Sequence, residues 1–315
     1  MNCVLTSIRM RASFRTRCFA ISPESKQNAP LITIGMPIYN EERFIERALD
    51  SLLQQDYPNL RILISDNAST DRTGEICQRV AEKDERIVYE RMNENIGPAA
   101  NFRHVADRAE GTYFMWAAGH DEWSPNLVSK SIEILEENHG AAVAVATSYW
   151  IDESGKRQDC DTDYPDTRDQ SLIGRFFTVF WGNMHPVLGV IRTEYLQASK
   201  GMQSLVGADL VLLSELVLRG DFVRQRDAWW SRRDVRLKET HSERMKRYKR
   251  YTSAEFGQTT TILDKRLPIL RLPFALLEVV WVARISVFQK AVLLMALLPL
   301  MPVRYIIGRK QAGKK

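Results

Sequence analysis

Twice in the first quarter of the chain, an apolar run of strand length ends abruptly in carboxylates and amides and then continues into a helical pattern. Residues 31–36 form the first run, followed by Pro37, Tyr39, Asn40 and Glu41. Residues 60–65 form the second, followed by Asp66, Asn67, Ser69, Thr70 and Asp71. A strand that is apolar throughout is buried on both faces, as in a parallel sheet covered by helices. In open sheets of that kind, ligands bind beyond the carboxyl ends of the strands. Polar residues gathered at two such ends therefore mark a site built for a polyhydroxylated or nucleotide ligand.

The rest of the pattern extends this architecture. Asn40 is expected to cap a helix, with Glu41 and Glu42 in its first turn, where carboxylates favour the helix dipole. Phe44, Ile45, Ala48, Leu49, Leu52 and Leu53 recur at helical spacing, and Pro58 stops that helix. Ser69 or Thr70 caps a helix running to about Ala81. Residues 86–91 read as a strand, and Asn95, Gly97 and Asn101 lie in a loop entering another helix, with Gly97 permitting a tight turn. A strand over 112–117 runs into Gly119, His120, Asp121, Glu122 and Trp123. A helix over 125–138 and a strand over 141–147 follow. Strands alternating with helices predict an α/β fold with a mostly parallel, doubly wound sheet. Residues 152–170 read as a loop, and residues 207–220 as a helix with Gly220 as its C-cap.

The chain has 315 residues, enough for one large α/β domain and an appendage. Its net charge of +5 is unevenly spread. Arg9, Arg11, Arg15 and Arg17 precede the first acid, Glu24, and a second basic run lies over 224–250. A basic surface suits nucleic acid, anionic lipid or phosphorylated substrates. No nucleic-acid motif is present, which leaves lipid or phosphate. Cys3, Cys18, Cys77 and Cys160 show no paired spacing, as expected of reduced thiols in a cytosol-facing protein. Residues 1–29 carry no sustained apolar segment or cleavage site, so they read as a disordered extension or a start codon placed too early rather than a secretory signal.

Residues 267–307 are strongly apolar, interrupted by Arg271, Glu278, Arg284 and Lys290. The longest uncharged run there is 13 residues and holds two prolines, against the roughly 20 a spanning helix needs. Two interfacial or re-entrant amphipathic helices with basic flanks are expected. The alternative is a hairpin packed on the domain or on a second subunit.

Pro37, Tyr39, Asn40 and Glu41, together with the segment from Asp66 to Asp71, resemble the start of a family 2 glycosyltransferase of the GT-A type. The resemblance covers about residues 31–242 and is densest over 31–126. It implies a GT-A domain over 31–242, with a nucleotide-sugar half over 31–122 and an acceptor half over 123–242. A basic linker and membrane-associated helices would occupy 243–315. It further implies that Pro37, Tyr39, Glu41, Asp66, Asn95, His120 and Asp121 hold the nucleotide sugar. An Asp at a strand end can accept from a base N–H, and Tyr39 can pack on the ring. The alternative is a capped helix start and an Asx-turn.

In the family the next strand end carries Asp-x-Asp, which binds ribose and a divalent metal. Aligned on Trp123 and Pro125, Ala118 and His120 stand where carboxylates are usual, and Asp121 keeps its acid. A Mn²⁺ or Mg²⁺ ion held by Asp121 with His120 is the implied cofactor, histidine suiting Mn²⁺ better. Otherwise His120 sits behind the ligands. Asp209 resembles the acceptor-side carboxylate, the general base of an inverting transfer. The alternative is a plain helix N-cap, and Glu215 is the second candidate base. Arg232, Arg233, Arg236, Lys238, His241 and Ser242 fall where the family places a cationic loop over the diphosphate, or they form a solvated basic face. Trp181, His185, Trp229 and Trp230 suit either sugar stacking or the core.

The implied activity is inverting transfer of a sugar, with a UDP-sugar as the expected donor because uridine is the family's commonest base. A glycan or lipid-linked acceptor is implied, as in cell-surface polysaccharide or lipopolysaccharide synthesis at the cytoplasmic face of the inner membrane. A membrane surface is the expected partner, and nucleic acid is not. The substitutions at Ala118 and His120 raise the alternative of a non-catalytic scaffold that binds nucleotide or glycan. A dinucleotide oxidoreductase is disfavoured, since no Gly-x-Gly-x-x-Gly follows the first strand.

Overall fold

The computed structural model describes residues 29–162, 164–233, 243, 246 and 271–312. Most of the basic arm, Arg236, Lys238, His241 and Ser242, and nearly all of the 243–270 linker lie outside the described residues. The nucleotide half is parallel. β1 (Ile32–Ile38) lies between β2 (Leu60–Asp66) and β4 (Tyr113–Trp116), and β3 (Ile87–Arg91) pairs with β2. Ile38 pairs with Asp66, so the two polar strand ends emerge side by side. α1 (Ile45–Leu53), α2 (Thr73–Ala81) and α3 (Pro98–Asp107) connect these strands.

The acceptor half adds strands of both senses, giving the nine-stranded order β3-β2-β1-β4-β8-β6-β9-β5 with β7 beside β6. Here β5 is Glu122–Trp123, β6 Ala141–Ile151, β7 Arg157–Thr162, β8 Val190–Arg192 and β9 Asp221–Arg233. α4 (Leu127–Glu137), α5 (Leu172–Trp181), α6 (Thr193–Gln197) and α7 (Ala208–Arg219) cover it. Alternate strand residues feed two apolar cores. Ile62, Ile64, Tyr113 and Met115 face one core with Ile45, Leu49 and Leu135; Leu63, Phe114 and Trp116 face the other with Phe176, Leu212 and Leu216.

Several local expectations are corrected. Asn40 caps no helix: α1 starts at Ile45, and Asn40 is left-handed with φ 56°. Asp71, rather than Ser69 or Thr70, accepts from the Thr73 N–H at the start of α2. The segment 152–170 contains strand β7. Asp152 builds the hairpin turn by accepting from the Ser154 and Lys156 N–H groups, and Gly155 takes φ 91°. That Asx-type turn joins β6 to β7, whose sequence Arg-Gln-Asp-Cys-Asp-Thr is too polar to stand out by hydropathy.

Gly220 is the C-cap of α7 as expected, with its N–H donating to the Leu216 carbonyl and an extended backbone at φ −158°. Its constraint is proximity: a Cβ there would lie 2.6 Å from the Gly140 oxygen and 2.8 Å from the Ala142 nitrogen. Both are backbone atoms that cannot swing aside. Gly220→Ala is therefore expected to lower stability by about 1–3 kcal/mol, read as an earlier denaturation midpoint. An unchanged midpoint would contradict this close packing.

Candidate functional site

The loops leaving β1 and β2 are knitted into one platform. The Asn40 N–H donates to Ser69 Oγ at 3.0 Å, and its side-chain oxygen accepts from the Thr70 N–H at 2.8 Å. The Glu41 N–H donates to Thr73 Oγ1 at 2.7 Å. Asn is among the few residues that adopt left-handed backbone at small cost. Tyr39, 44% exposed, presents its ring on this platform, and Pro37 lies beneath it in β1, paired with Ser65.

Asp66 is wholly enclosed. Its Oδ1 accepts from the Ser69 N–H, and its Oδ2 accepts from the Tyr89 hydroxyl and the Arg91 guanidinium, each at 2.9 Å. The carboxylate thus supports the platform from below, instead of standing open to a base as expected. A solvent-open concavity of about 710 Å³ borders it, lined by Ser69, Asp71, Gly74, Gln78, Tyr89 and Arg91 among others. Asn95 accepts from Asn67 Nδ2 at 3.0 Å and from the Gly97 N–H at 2.9 Å, which clamps the loop before α3 to the end of β2.

Beyond β4 the chain brings His120 Nδ1 within 2.9 Å of Glu41 Oε1. Gly119 permits this, because a Cβ there would sit 2.8 Å from Glu41 Cγ. Asp121 turns the other way. Its Oδ2 accepts from the Trp230 indole N–H and its Oδ1 from the Arg233 backbone N–H, both at 3.0 Å, and the residue is 2% exposed. Burial raises its carboxyl pKa, against the lowering effects of His120, the Arg233 N–H, Arg232 and Trp230.

This arrangement does not fit the expected metal pair. A hard divalent cation needs several open oxygen or nitrogen donors. Both Asp121 oxygens already serve β9, and His120 Nε2 is 3.9 Å from Oδ1. Among the described residues, no three His, Cys, Asp or Glu side chains gather to hold a metal.

A bulge in β9 supplies the other wall. Ala146 of β6 pairs with Gln225, but the next residue, Thr147, pairs with Trp229, so three residues of β9 loop out. Such a bulge re-aims the strand that follows it. Ser124 fixes the new register by exchanging hydrogen bonds of 3.0 Å with the Trp229 backbone. Thereafter Ser148 pairs with Trp230 and Trp150 with Arg232, so these four share one face.

The Arg232 guanidinium lies over both rings, 4.5 Å from the centre of Trp150 and 5.1 Å from that of Trp230. His185 bonds Ser148 Oγ at 3.1 Å and meets both indoles edge-on. Trp150 and Ser148 escaped the sequence reading, because their shared face appears only once the β6–β9 register is known. Arg233 is no diphosphate cation: it is 2% exposed, and its guanidinium donates to the carbonyls of His120, Asp152 and Glu153. Trp229 stands apart, 38% exposed and stacked on Tyr149, and Trp181 is 41% exposed at the end of α5.

Asp209 occupies the second position of α7. The N-cap is Gly207, left-handed at φ 88°, so Asp209 is not a capping residue. Burial pushes its carboxyl above the usual range, an effect the Arg232 charge opposes. No described residue hydrogen-bonds its carboxylate. A desolvated carboxylate whose pKa is raised by burial is a candidate proton acceptor. Glu215 points elsewhere, accepting from the Lys200 N–H at 3.0 Å beside Arg219, and holds a surface turn. Its other oxygen, Oε1, is buried without a partner among the described residues, and burial raises its pKa. Arg232 lowers the pKa of both Asp209 and Asp121, which brings the two halves within electrostatic reach of one cation.

The sequence profile of glycosyl transferase family 2 matches residues 33–191. The chain belongs to glycosyl transferase family 2. Its relatives include an uncharacterized Haemophilus influenzae glycosyltransferase, 32% identical over 36% of this chain and 45% of that protein. A Bacillus subtilis protein named for teichuronic acid biosynthesis is 33% identical over 34% of this chain and 43% of its own. The chain thus aligns with less than half the length of these family 2 relatives.

Among solved structures, Staphylococcus aureus TarS 1–349 with UDP superposes with TM-score 0.61 at 16% identity, covering 85% of this chain and 70% of that one. The Pyrobaculum calidifontis mannosyltransferase PcManGT with GDP-Man and Mn²⁺ gives TM-score 0.53 at 19% identity, covering 90% and 84%. These likenesses establish the GT-A-type fold expected from the family.

The raised pKa of Asp209 has a stability consequence. Below the ordinary carboxylate pKa both folded and unfolded forms are protonated, and the fold suffers no penalty. As pH rises toward the folded pKa, the native state resists ionisation and stability falls. Asp209→Asn removes that loss. Its melting temperature is expected to exceed the wild type's by a margin that grows as pH rises from acid toward neutral. A variant less stable than wild type at neutral pH would contradict this account of the site.

Proposed function

We propose that the chain is an inverting glycosyltransferase that moves a sugar from a nucleotide-activated donor to an acceptor hydroxyl in cell-surface polymer synthesis. The carrying observation is Asp209: a desolvated carboxylate at the start of α7, without a hydrogen-bond partner among the described residues, within reach of the Arg232 charge that also lies over the Trp150 and Trp230 rings. Asp209 takes the proton of the acceptor hydroxyl as its oxygen attacks the anomeric carbon from the face opposite the leaving group. The bond from that carbon to the diphosphate oxygen breaks, and its electron pair leaves with the nucleoside diphosphate. Arg232 faces the charge that develops. Trp150, which is partly exposed, offers its indole to a sugar ring, with the buried Trp230 and His185 packed behind it.

The platform of Tyr39, Asn40 and Glu41 receives the nucleoside, with Asn95 and Asp66 bracing it. Similar solved structures hold UDP, UDP-GlcNAc or GDP-Man, which supports a nucleotide-sugar donor. A UDP-sugar is the form we favour. Because Asp121 is committed to β9, no step is routed through a metal ion. The acceptor we favour is a glycan or lipid-linked sugar at the cytosolic side of a membrane. The teichuronic acid relative supports a role in surface polymers.

The altered strand end at Ala118 and His120 keeps one other reading alive, a scaffold that binds nucleotide or glycan without turnover. Asp209→Asn separates the two. It is expected to lower donor turnover by about 10²–10⁴-fold while calorimetric binding of UDP stays intact. UDP is expected to bind more tightly than GDP or dTDP, with an affinity that EDTA leaves unchanged. Turnover unaffected by the substitution would sink the proposed base. Binding of none of the three nucleotides would sink the donor site itself.

A further inference from the structure

The last two helices present two unlike faces. α8 (Arg271–Val282) and α9 (Val287–Ala312) form a hairpin. On its inner side Leu276, Val279, Val280, Leu293 and Leu297 are almost fully buried in the core shared with α5 and α7. Its outer side leaves Trp281 69%, Val287 82%, Phe288 73%, Met295 66% and Leu298 63% exposed. Soluble surfaces seldom carry so much contiguous apolar area unless it meets another phase or partner.

The charge of this segment selects the occupant. From residue 279 to the last residue there is no Asp or Glu, against seven Lys and Arg. A segment that joins exposed apolar side chains to a purely cationic sequence is complementary to an anionic lipid surface. A second copy of the chain would instead bring like charge against like.

The packing also decides the mode of contact. α9 has 26 residues, about 39 Å at the usual rise per residue, long enough to cross a bilayer. Yet Leu293 and Leu297 are buried in the domain, and the Arg304 guanidinium donates to the Phe180 carbonyl at the end of α5. A helix with one stripe packed into the domain and Arg304 tied to α5 cannot cross without dragging that part of the domain into hydrocarbon. This packing favours an in-plane arrangement.

We propose that the α8–α9 hairpin is an in-plane docking surface for an anionic lipid bilayer. Its position gives the docking a consequence, which rests on the function proposed above. Leu272 of α8 fills the space a side chain would occupy at Gly207, with methyl carbons 3.0 and 3.1 Å from the Cβ position. Asp209 lies two residues further on. The base is therefore braced by the membrane-bound hairpin, which suits an acceptor hydroxyl carried on a lipid.

The test is co-sedimentation of the full chain with vesicles of phosphatidylcholine, alone or mixed with phosphatidylglycerol, followed by alkaline carbonate extraction. Binding is expected with the anionic mixture, weakened by salt and released by carbonate. The double variant Phe288→Asp, Leu298→Asp changes only exposed positions. It is expected to lose vesicle binding by roughly tenfold or more while its circular dichroism and UDP affinity match wild type. That UDP control separates failure of the docking surface from failure of the donor site. Wild type that ignores both vesicles would overturn the proposal. So would retention after carbonate, or a soluble dimer that the same variant dissolves.

Discussion

A buried carboxylate that only one distant strand can satisfy holds the two halves of this molecule in place. Asp121 receives hydrogen bonds from Trp230 and Arg233, more than a hundred residues away in the chain. Leaving such a group unpaired in the interior costs several kcal/mol, on the order of 3–5. The end of β9 is therefore pinned to the segment that leads from β4 into β5, and the arrangement of the neighbouring side chains follows. The bulge after Gln225 sets which face Trp230 presents, the pairing of β9 with β6 brings Arg232 beside Trp150, and Arg232 then lies in reach of Asp209. One desolvated carboxylate is thus satisfied by the strand that frames the other, the one proposed as the base.

The nucleotide half was legible because its signals are local. Each strand, polar end and following helix lies within about 25 residues of sequence, and strand alternation gives the burial directly. Where the reading failed, a contact from elsewhere intervened. Asn40 has a capping residue's chemistry, but the loop after β2 takes up its hydrogen-bonding groups. Gly220 does cap α7, but the close backbone of Gly140 and Ala142, which forbids a side chain there, is a constraint that spacing does not show. Asp66 and Asp121 were read as ligand-facing because their strand ends were right. Which way each carboxylate turns depends on Tyr89, Arg91, Trp230 and Arg233, donors that no spacing rule connects to them. Asp209 was found by its position ahead of an apolar helix, and the structure removes the capping alternative, because Gly207 occupies that place.

The C-terminal helices show the same division between pattern and packing. Their apolar density and basic flanks are plain in the sequence, but the division of that apolar surface between packing and exposure is not. One face packs on the domain as a core element would, and the other remains exposed as an interfacial helix would. Hydropathy alone cannot separate those faces, since the stripe that binds α5 and α7 is as apolar as the stripe left outside.

The claim that carries the account is that Asp209 is the proton acceptor and that Arg232 tunes it. The most direct measurement is the pH dependence of kcat/KM for sugar transfer, in wild type and in Arg232→Met. The predicted acidic limb lies above the ordinary carboxylate range, because burial disfavours the Asp209 anion. It moves to still higher pH in the variant, because the cation that favoured the anion is gone. An acidic limb at the ordinary carboxylate pKa, unmoved by loss of Arg232, would contradict the assignment.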